Sequence, residues 1–281
     1  MAILRNNHFC PTCASRFLKV YYRYKSFDVY EKKVGINFSN SFKRIWLLCN
    51  ACGFIFSNYH FENSKNLIKI YKNDYRDISE ESIKRLYKKV LHISFANSEN
   101  KQREKLIKNY IKALKIKKIF SLKNLNHLDI GGGSGVFAAQ FKDSSWTSSV
   151  MDLSRENFMT KKKNIKFFTE DLLKLKKFRT KYSLVTLINT LEHVKDFYKF
   201  LKKIKKALLK KNGILFVECP ASYNFKRLNI NHEIFNSCHL NMWNFYNFSI
   251  VMKKAGFEIL HFINSKEIRG HYSYKCFMRP L

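Results

Sequence analysis

The sequence is poor in proline, in acidic residues and in long apolar runs. Three of its 281 residues are Pro, which excludes collagen-like and proline-rich chains. No apolar stretch approaches the roughly 18 residues of a membrane span, and the apolar start at residues 1–5 is too short for the core of a signal peptide. The seven Cys are an odd number in a chain too large for a disulfide-stapled scaffold. We therefore expect a protein of the reducing cytoplasm.

The composition is that of a folded chain with a core. Hydrophobic residues make up 46% of the sequence and aromatic residues 16%, whereas disordered chains have few aromatics. The length predicts one or two domains that bury apolar surface.

The charge of the chain is strongly positive. Basic residues outnumber acidic ones by 53 to 21, which gives a formal net charge of +32. Of the basic residues 41 are Lys and 12 are Arg, although Arg has the better geometry for phosphates and guanine edges. The lysines lie in short runs along the whole chain rather than in one patch. This pattern favours solvated faces over a nucleic-acid groove, while the positive field would attract anionic substrates.

The first 120 residues change from a strand-like to a helical pattern. Residues 17–24 and 44–57 are rich in aromatic and branched residues, which favours short β-hairpins. Ser79 and Ser98 each precede acidic residues and an apolar repeat of helical period. Each serine is therefore predicted to cap the start of a helix.

From about residue 125 strand and helix patterns alternate, which is typical of a parallel sheet covered by helices. A helix is predicted at residues 196–211, with one apolar face and one lysine-rich face. The seven predicted strands are residues 126–130, 148–152, 165–168, 183–188, 213–218, 257–264 and 272–278.

Two Cys-x-x-Cys pairs, Cys10/Cys13 and Cys49/Cys52, are separated by 35 residues. Two such pairs can bring four thiolates to one tetrahedral zinc ion, with bonds of about 2.3 Å. Gly53 suits the tight turn after the second pair. The alternatives are four packed thiols or one redox pair. The doubled spacing favours zinc, and a site closed by four cysteines is structural, because a catalytic zinc keeps an open position.

A glycine-rich loop at residues 131–135 follows a predicted strand and precedes a helix. Glycines at such a place let backbone amides approach a ligand closely. The loop fits the dinucleotide fingerprint poorly, because the sixth position is Val136, and it lacks the Gly-Lys-Ser/Thr of a phosphate-binding loop. The loop alone therefore does not identify its ligand.

The sequence at residues 128–135, Leu-Asp-Ile-Gly-Gly-Gly-Ser-Gly, resembles the first motif of the class I S-adenosylmethionine-dependent methyltransferases. The resemblance extends in order over residues 125–281. It includes Thr-Glu-Asp at residues 169–171, Leu-Glu-His at residues 191–193 and Ala-Gly-Phe-Glu at residues 255–258.

This resemblance implies S-adenosylmethionine as the methyl donor. It implies that Asp152 holds the ribose hydroxyls, since one carboxylate can accept from two hydroxyls, and that Asp171 accepts from the adenine amino group. The implied cofactor-binding residues are Asp129, Gly131, Gly133, Gly135, Asp152, Asp171 and Asn189.

The succession of a zinc module, a helical segment and this domain is also similar to methyltransferases associated with sugar and polysaccharide modification. C-methyltransferases of nucleotide-linked keto-sugars carry a His-Glu-His cluster, whereas residues 237–240 here read Ser-Cys-His-Leu. The resemblance therefore implies a small-molecule or carbohydrate-type acceptor, such as a nucleotide sugar or a polysaccharide precursor, without that specific reaction.

Methyl transfer to oxygen or carbon needs a positioned base or orienting group, and His is the first residue type to consider. His193 follows the fourth predicted strand and His239 follows the fifth. Both would lie at the sheet edge where such folds bind ligands. Tyr75 is a third candidate, as part of a lid over the site. Packing or helix capping is the alternative role for each.

Two other functions compete with this prediction. An RNA-modifying methyltransferase would use the basic zinc module to bind nucleic acid, but the Asn/Asp-Pro-Pro-aromatic motif of amino-methylating enzymes is missing at residues 189–193. A non-enzymatic zinc-ribbon scaffold would not need the intact glycines and acids.

We predict a zinc-binding module at residues 1–60, a helical segment at residues 61–120 and a methyltransferase domain at residues 121–281. The expected fold class is α/β. It comprises a Rossmann-like, mostly parallel seven-stranded sheet with helices on both faces, preceded by the small β-rich, zinc-ribbon-like module and the helical segment.

Overall fold

The computed structural model describes residues 8–33, 44–61, 79–117, 125–153 and 164–281. Tyr75 lies outside these residues. Within these ranges no helix combines the length and the apolar character that crossing a membrane requires.

The described elements alternate as the sequence predicts. The strands are β1 Leu18–Arg23, β2 Ile45–Cys49, β3 Ile55–Ser57, β4 Leu125–Ile130, β5 Trp146–Asp152, β6 Lys166–Thr169, β7 Tyr182–Ile188, β8 Leu209–Pro220, β9 Asn241–Met242, β10 Phe257–Lys266 and β11 Tyr272–Pro280. The helices are α1 Val29–Lys33, α2 Glu80–His92, α3 Glu99–Ile116, α4 Val136–Phe141, α5 Phe197–Lys203 and α6 Phe245–Lys254.

Seven strands form the central sheet, in the order β10-β11-β8-β7-β4-β5-β6. The five strands from β8 to β6 are parallel, and β10 and β11 complete the sheet in antiparallel pairing. All seven strands predicted from the sequence are present, and the α/β fold class is confirmed. Because the strand order changes direction at β4, a ligand cleft is expected at the carboxyl end of this strand.

Alternating side chains divide the core between the two faces of this sheet. Leu184 and Phe216 pack on one face with Ile107 of α3. Their chain neighbours Val185 and Val217 pack on the other face, in a cluster that also holds residues of α5 and α6. Helices therefore cover both faces, as the alternating pattern predicts.

Both predicted serine caps are present. The Ser79 side chain accepts a hydrogen bond from Ser82 N, and the Ser98 side chain accepts one from Lys101 N, each at 3.2 Å. These caps start α2 and α3 by satisfying backbone amides that have no partner within the helix.

The predicted helix at residues 196–211 is too long. Its α-helical part ends at Lys203, a wider π-type turn covers residues 204–208, and β8 begins at Leu209. Leu209 is buried and pairs with Tyr182 of β7. The helical period of apolar residues continues through Leu208, but the residues that follow belong to β8, which pairs with β7.

The β-rich N-terminal region forms an antiparallel sheet in the order β1-β2-β3-β9. Its fourth strand, β9, comes from the last third of the chain and pairs with β3. Phe54 also packs against Trp243, with ring centroids 5.0 Å apart. The β-rich module is present as predicted, and it shares one sheet and one core with the later part of the chain. The segment boundaries at residues 60 and 120 stay predictions.

Candidate functional site

A cavity of about 520 Å³ opens where β4, β5, β7 and β8 end. The strand ends Ile130, Asp152, Ile188 and Pro220 all line it. Its lining includes the predicted His193 and His239 and most of the residues predicted to bind the cofactor, namely Asp129, Gly131, Gly133, Asp152, Asp171 and Asn189. The structure thus brings most of the predicted site residues around one cavity.

The glycine loop after β4 has a backbone that requires glycine. Gly131 and Gly133 have φ of 74° and 54°, in the left-handed region that other residues rarely adopt. A Cβ on Gly131 would lie 2.4 Å from Oγ1 of Thr190. The packing therefore leaves no room for a side chain at Gly131, whose backbone amide donates to Met151 O at 2.8 Å. Gly135, with φ of 77°, starts α4 and does not line the cavity.

Asp152 and the glycine loop are directly connected. The backbone amide of Gly133 donates a hydrogen bond of 2.8 Å to Oδ2 of Asp152 at the end of β5. Asp152 is half-buried at the cavity wall. This places a carboxylate beside backbone amides, an arrangement that suits a ligand bearing adjacent hydroxyl groups.

Asp129 lies behind the loop in a fully buried position. Oδ1 of Asp129 accepts a 2.6 Å hydrogen bond from the Thr186 hydroxyl. Thr186 in turn lies 2.8 Å from Nε2 of His127. Burial raises the pKa of Asp129 to about 7, against the hydrogen bond from Thr186. The Asp129 carboxyl group packs directly against the glycine loop, because a Cβ on Gly132 would lie 2.6 Å from its Oδ2.

Asp171 and Asn189 complete the predicted cofactor side. Oδ1 of Asp171 accepts from Leu173 N at 3.0 Å, which fixes the turn after β6. Asn189 has a φ of 49°, and its backbone amide donates a hydrogen bond of 2.9 Å to the backbone carbonyl of Glu218. Both residues lie on the cavity wall, and their contacts with a cofactor stay predictions.

The histidine part of the cavity includes a carboxylate that the site prediction omitted. Glu192 is fully buried, and in the described part of the chain neither of its carboxylate oxygens accepts a hydrogen bond from another residue. Burial raises its pKa to about 8. The rings of His193 and His239 are 4.7 Å apart, and burial lowers the pKa of His239 well below its usual value. His239 is therefore neutral at physiological pH.

A buried ion pair between Arg103 of α3 and Glu218 of β8 also borders the cavity. Burial alone would raise the pKa of Glu218, but the Arg103 guanidinium outweighs it and lowers this pKa. Sequence reasoning missed the pair. A signal existed, because Arg103 lies four residues before Ile107 on the apolar face of α3, where a charged residue needs a partner.

The four predicted zinc-binding cysteines come together outside this cavity. Cys10 Sγ lies 3.6 Å from Cys52 Sγ, Cys13 Sγ lies 3.6 Å from Cys49 Sγ, and all four atoms are within 4.8 Å of one another. Sulfur atoms around a tetrahedral zinc are about 3.8 Å apart. The donor set and its spacing fit one zinc ion.

Comparison with known proteins identifies related sequences. A family model described as a methyltransferase domain matches residues 82–262. A ubiquinone biosynthesis O-methyltransferase of Pelagibacter ubique (strain HTCC1062) is 35% identical over 119 residues, which cover 39% of this chain and 48% of that protein. The chain thus spans about half the length of this curated relative.

Solved structures share the fold. The magnesium protoporphyrin IX methyltransferase of Synechocystis PCC 6803, with bound SAH, has a TM-score of 0.52 at 15% identity, covering 74% of this chain and 98% of that one. The 1,6-didemethyltoxoflavin-N1-methyltransferase of Burkholderia thailandensis, with bound S-adenosylhomocysteine, has a TM-score of 0.51 at 12% identity, covering 74% and 89%. At these identities the likeness concerns the fold alone.

Proposed function

The chain belongs to the methyltransferase domain family, and on this basis we propose that it transfers a methyl group from S-adenosylmethionine to an oxygen atom of a small-molecule acceptor. One observation carries the proposal: the glycine loop, Asp152 and the two histidines line the same cavity. The donor side and the acceptor side of a methyl transfer then meet in one enclosed space.

The residues of the donor side fit S-adenosylmethionine. The positive φ of Gly131 and Gly133 requires glycine at both positions, and without side chains there the backbone of the loop can approach the ligand closely. We assign Asp152, which lies on the cavity wall beside the glycine loop, to accept hydrogen bonds from the ribose hydroxyls. We assign Asp171, also on the cavity wall, to accept from the adenine amino group. The bound cofactor supplies an electrophilic methyl carbon on a sulfonium centre.

The acceptor side is the wall that contains Glu192, His193 and His239. Nδ1 of each histidine is hydrogen-bonded to a backbone carbonyl, which fixes both ring orientations. The low pKa of His239 makes it a weak base, so we assign it to positioning the acceptor oxygen rather than to strong proton abstraction. His193 has the same assignment.

The finer proposal is a hydroxyl-bearing acceptor of carbohydrate type. Glu99, Glu233, Arg269 and His271 extend the polar wall beyond the histidines, and such groups hydrogen-bond hydroxyls. The ubiquinone biosynthesis relative is an O-methyltransferase, which supports oxygen as the acceptor atom and makes a phenolic acceptor the competing class.

The test is transfer of labelled methyl groups from S-adenosylmethionine to four acceptor sets: nucleotide sugars, polysaccharide precursors, phenolic hydroxyl compounds and bulk RNA. We expect transfer to a small hydroxyl compound and none to RNA. Labelling of RNA alone would contradict the small-molecule assignment. A His239→Asn variant should turn over about 10²-fold more slowly at unchanged cofactor affinity, because the acceptor oxygen loses a group that orients it.

We also propose that Cys10, Cys13, Cys49 and Cys52 hold a structural zinc ion. The support is the clustering of the four sulfur atoms within 4.8 Å of one another and the separation of this cluster from the cavity. The ion would tie the loop before β1 to the turn between β2 and β3.

A further inference from the structure

Three side chains in the acceptor wall converge on one point. One ligand atom from each of Glu192, His193 and His239 lies within 4.8 Å of the other two. Glu192 and His193 belong to a short 3₁₀ turn after β7, and His239 precedes β9. Residues 46 positions apart in the chain thus form a compact group of two imidazoles and one carboxylate.

The turn that carries Glu192 is firmly anchored. The backbone carbonyl of Glu192 accepts a 2.8 Å hydrogen bond from Leu240 N, and the Asn241 side chain donates to Val194 O at 2.8 Å. The Glu192 carboxylate, by contrast, is fully buried and accepts no hydrogen bond from another described residue. A carboxyl group in such a place is stable either in its protonated form or as a carboxylate that a cation accompanies. The backbone of Glu192 is thus held in place, while its carboxylate has no hydrogen-bond partner among the other described residues.

The two histidines have the tautomer of metal ligands. Nδ1 of His193 lies 2.9 Å from Cys238 O, and Nδ1 of His239 lies 2.6 Å from Ile234 O. A carbonyl oxygen can only accept, so each Nδ1 carries the proton. In a neutral ring the lone pair is then on Nε2. Metal-binding histidines commonly donate their other ring N–H to a backbone carbonyl in this way.

We propose that Glu192, His193 and His239 bind one divalent transition-metal ion in the acceptor wall. Two imidazoles and one carboxylate favour zinc, manganese, iron or cobalt over magnesium or calcium. Two ligands of one tetrahedral ion of this kind are about 3.4 Å apart, so shifts of up to about 1.4 Å close the site. Three protein ligands leave coordination positions open toward the cavity.

The consequence for the reaction rests on the proposed function. An acceptor hydroxyl that occupies an open position would lose its proton more readily, because a bound cation lowers the pKa of an oxygen ligand. Its oxygen lone pair would then form the new bond to the methyl carbon, the carbon–sulfur bond would break toward sulfur, and the proton would leave to solvent. The acceptor class is therefore one with an oxygen donor that can bind a metal ion.

The test is a titration of the full chain with Mn²⁺, followed by electron paramagnetic resonance of the free ion. Mn²⁺ suits nitrogen and oxygen ligands and leaves a zinc ion at the cysteines in place. We expect one Mn²⁺ per wild-type chain. Glu192→Gln keeps the shape but not the charge, and His239→Gln removes a ligand, so each should bind at least about tenfold more weakly. His261→Gln, at an exposed position of β10, is the matched control and should bind as wild type does.

A thermal melt separates ligation from mere packing. Mn²⁺ should raise the melting temperature of wild type and of His261→Gln but not that of Glu192→Gln. Wild type that binds no Mn²⁺, or Glu192→Gln that binds it equally well, would overturn the metal site. Calorimetry with S-adenosylmethionine on the same preparations tests the proposed function separately: cofactor binding without Mn²⁺ binding would leave that function standing and remove the metal.

Discussion

Arg103 and Glu218 form a bidentate ion pair in the interior: Nε of Arg103 lies 2.6 Å from Oε2 of Glu218, and Nη2 contacts Oε1. The side chains are 3% and 1% exposed. Because Arg103 belongs to α3 and Glu218 to β8, the pair holds the helix as a wall of the cavity. A charged pair at this depth is stable only while both partners are present.

Arg103→Met should therefore lower the free energy of unfolding by about 3–5 kcal/mol, because it leaves Glu218 buried without its cation. The double variant Arg103→Met/Glu218→Leu should recover much of this loss. Arg85→Met, which breaks an exposed pair with Glu81, is the control and should cause no measurable change. Urea unfolding of the four proteins checks this, and equal losses in Arg103→Met and Arg85→Met would contradict it.

Asp129 predicts a pH dependence of stability. Its pKa is raised from 3.8 to about 7 by burial, so between about pH 4 and pH 7 the folded protein holds a proton that the unfolded chain releases. Asp129 therefore makes its full contribution to stability below about pH 4. This contribution decreases as the pH rises from 4 to 7 and is lost above about pH 7.

Asp129→Asn keeps an acceptor for the Thr186 hydroxyl but cannot titrate. Relative to wild type, the variant should gain stability by up to about 1.4 kcal/mol per pH unit over this window and then level off. Urea unfolding at intervals from pH 4 to pH 8 measures the difference. A constant difference across that range would show that Asp129 is ionised throughout.

Gly131 and Gly270 provide a matched pair for the glycine loop. Both have positive φ, 74° and 87°, but a Cβ would meet Thr190 at Gly131 and nothing within 4 Å at Gly270. Each substitution by Ala should cost about 1–2 kcal/mol from backbone strain. Only Gly131→Ala should also weaken S-adenosylmethionine binding, by at least about tenfold, because the loop must shift. Equal cofactor affinities would show that the loop is not the binding element.

The cysteine cluster predicts one tightly bound zinc ion per chain. Cys10→Ser/Cys49→Ser should lose it, while Cys276→Ser, at a buried thiol outside the cluster, should retain it. Elemental analysis of the purified proteins measures the metal. Because the site is structural, the double variant should lose stability more than cofactor affinity. Zinc retained in full by the double variant would refute the site.

The strands and most helix starts followed from the sequence because each has a local cause. The alternation at Leu184 and Val185 sorts side chains onto two faces, and Ser79 and Ser98 cap helices through their own backbone. The end of the helix after Asp196 did not follow, because Leu209 is drawn into the sheet by Tyr182, a partner outside the local pattern.

The site was predicted unevenly for the same reason. Glycines and acids in a motif can be recognised from the sequence itself. The importance of Glu192 depends on its burial and on the two histidines beside it, which only the fold shows. The pairing of β3 with β9 likewise joins residues nearly two hundred positions apart. A local sequence pattern cannot predict such a pairing.

The central claim is that the cavity binds S-adenosylmethionine through the glycine loop and Asp152, and calorimetric titration of the full chain tests it most directly. Wild type should bind one cofactor, and Asp152→Ala should lose about 1–3 kcal/mol of binding free energy through loss of a charged acceptor. Asp143→Ala, at a surface carboxylate outside the cavity, should bind as wild type does. No binding by wild type, or equal binding by wild type and Asp152→Ala, would contradict the account.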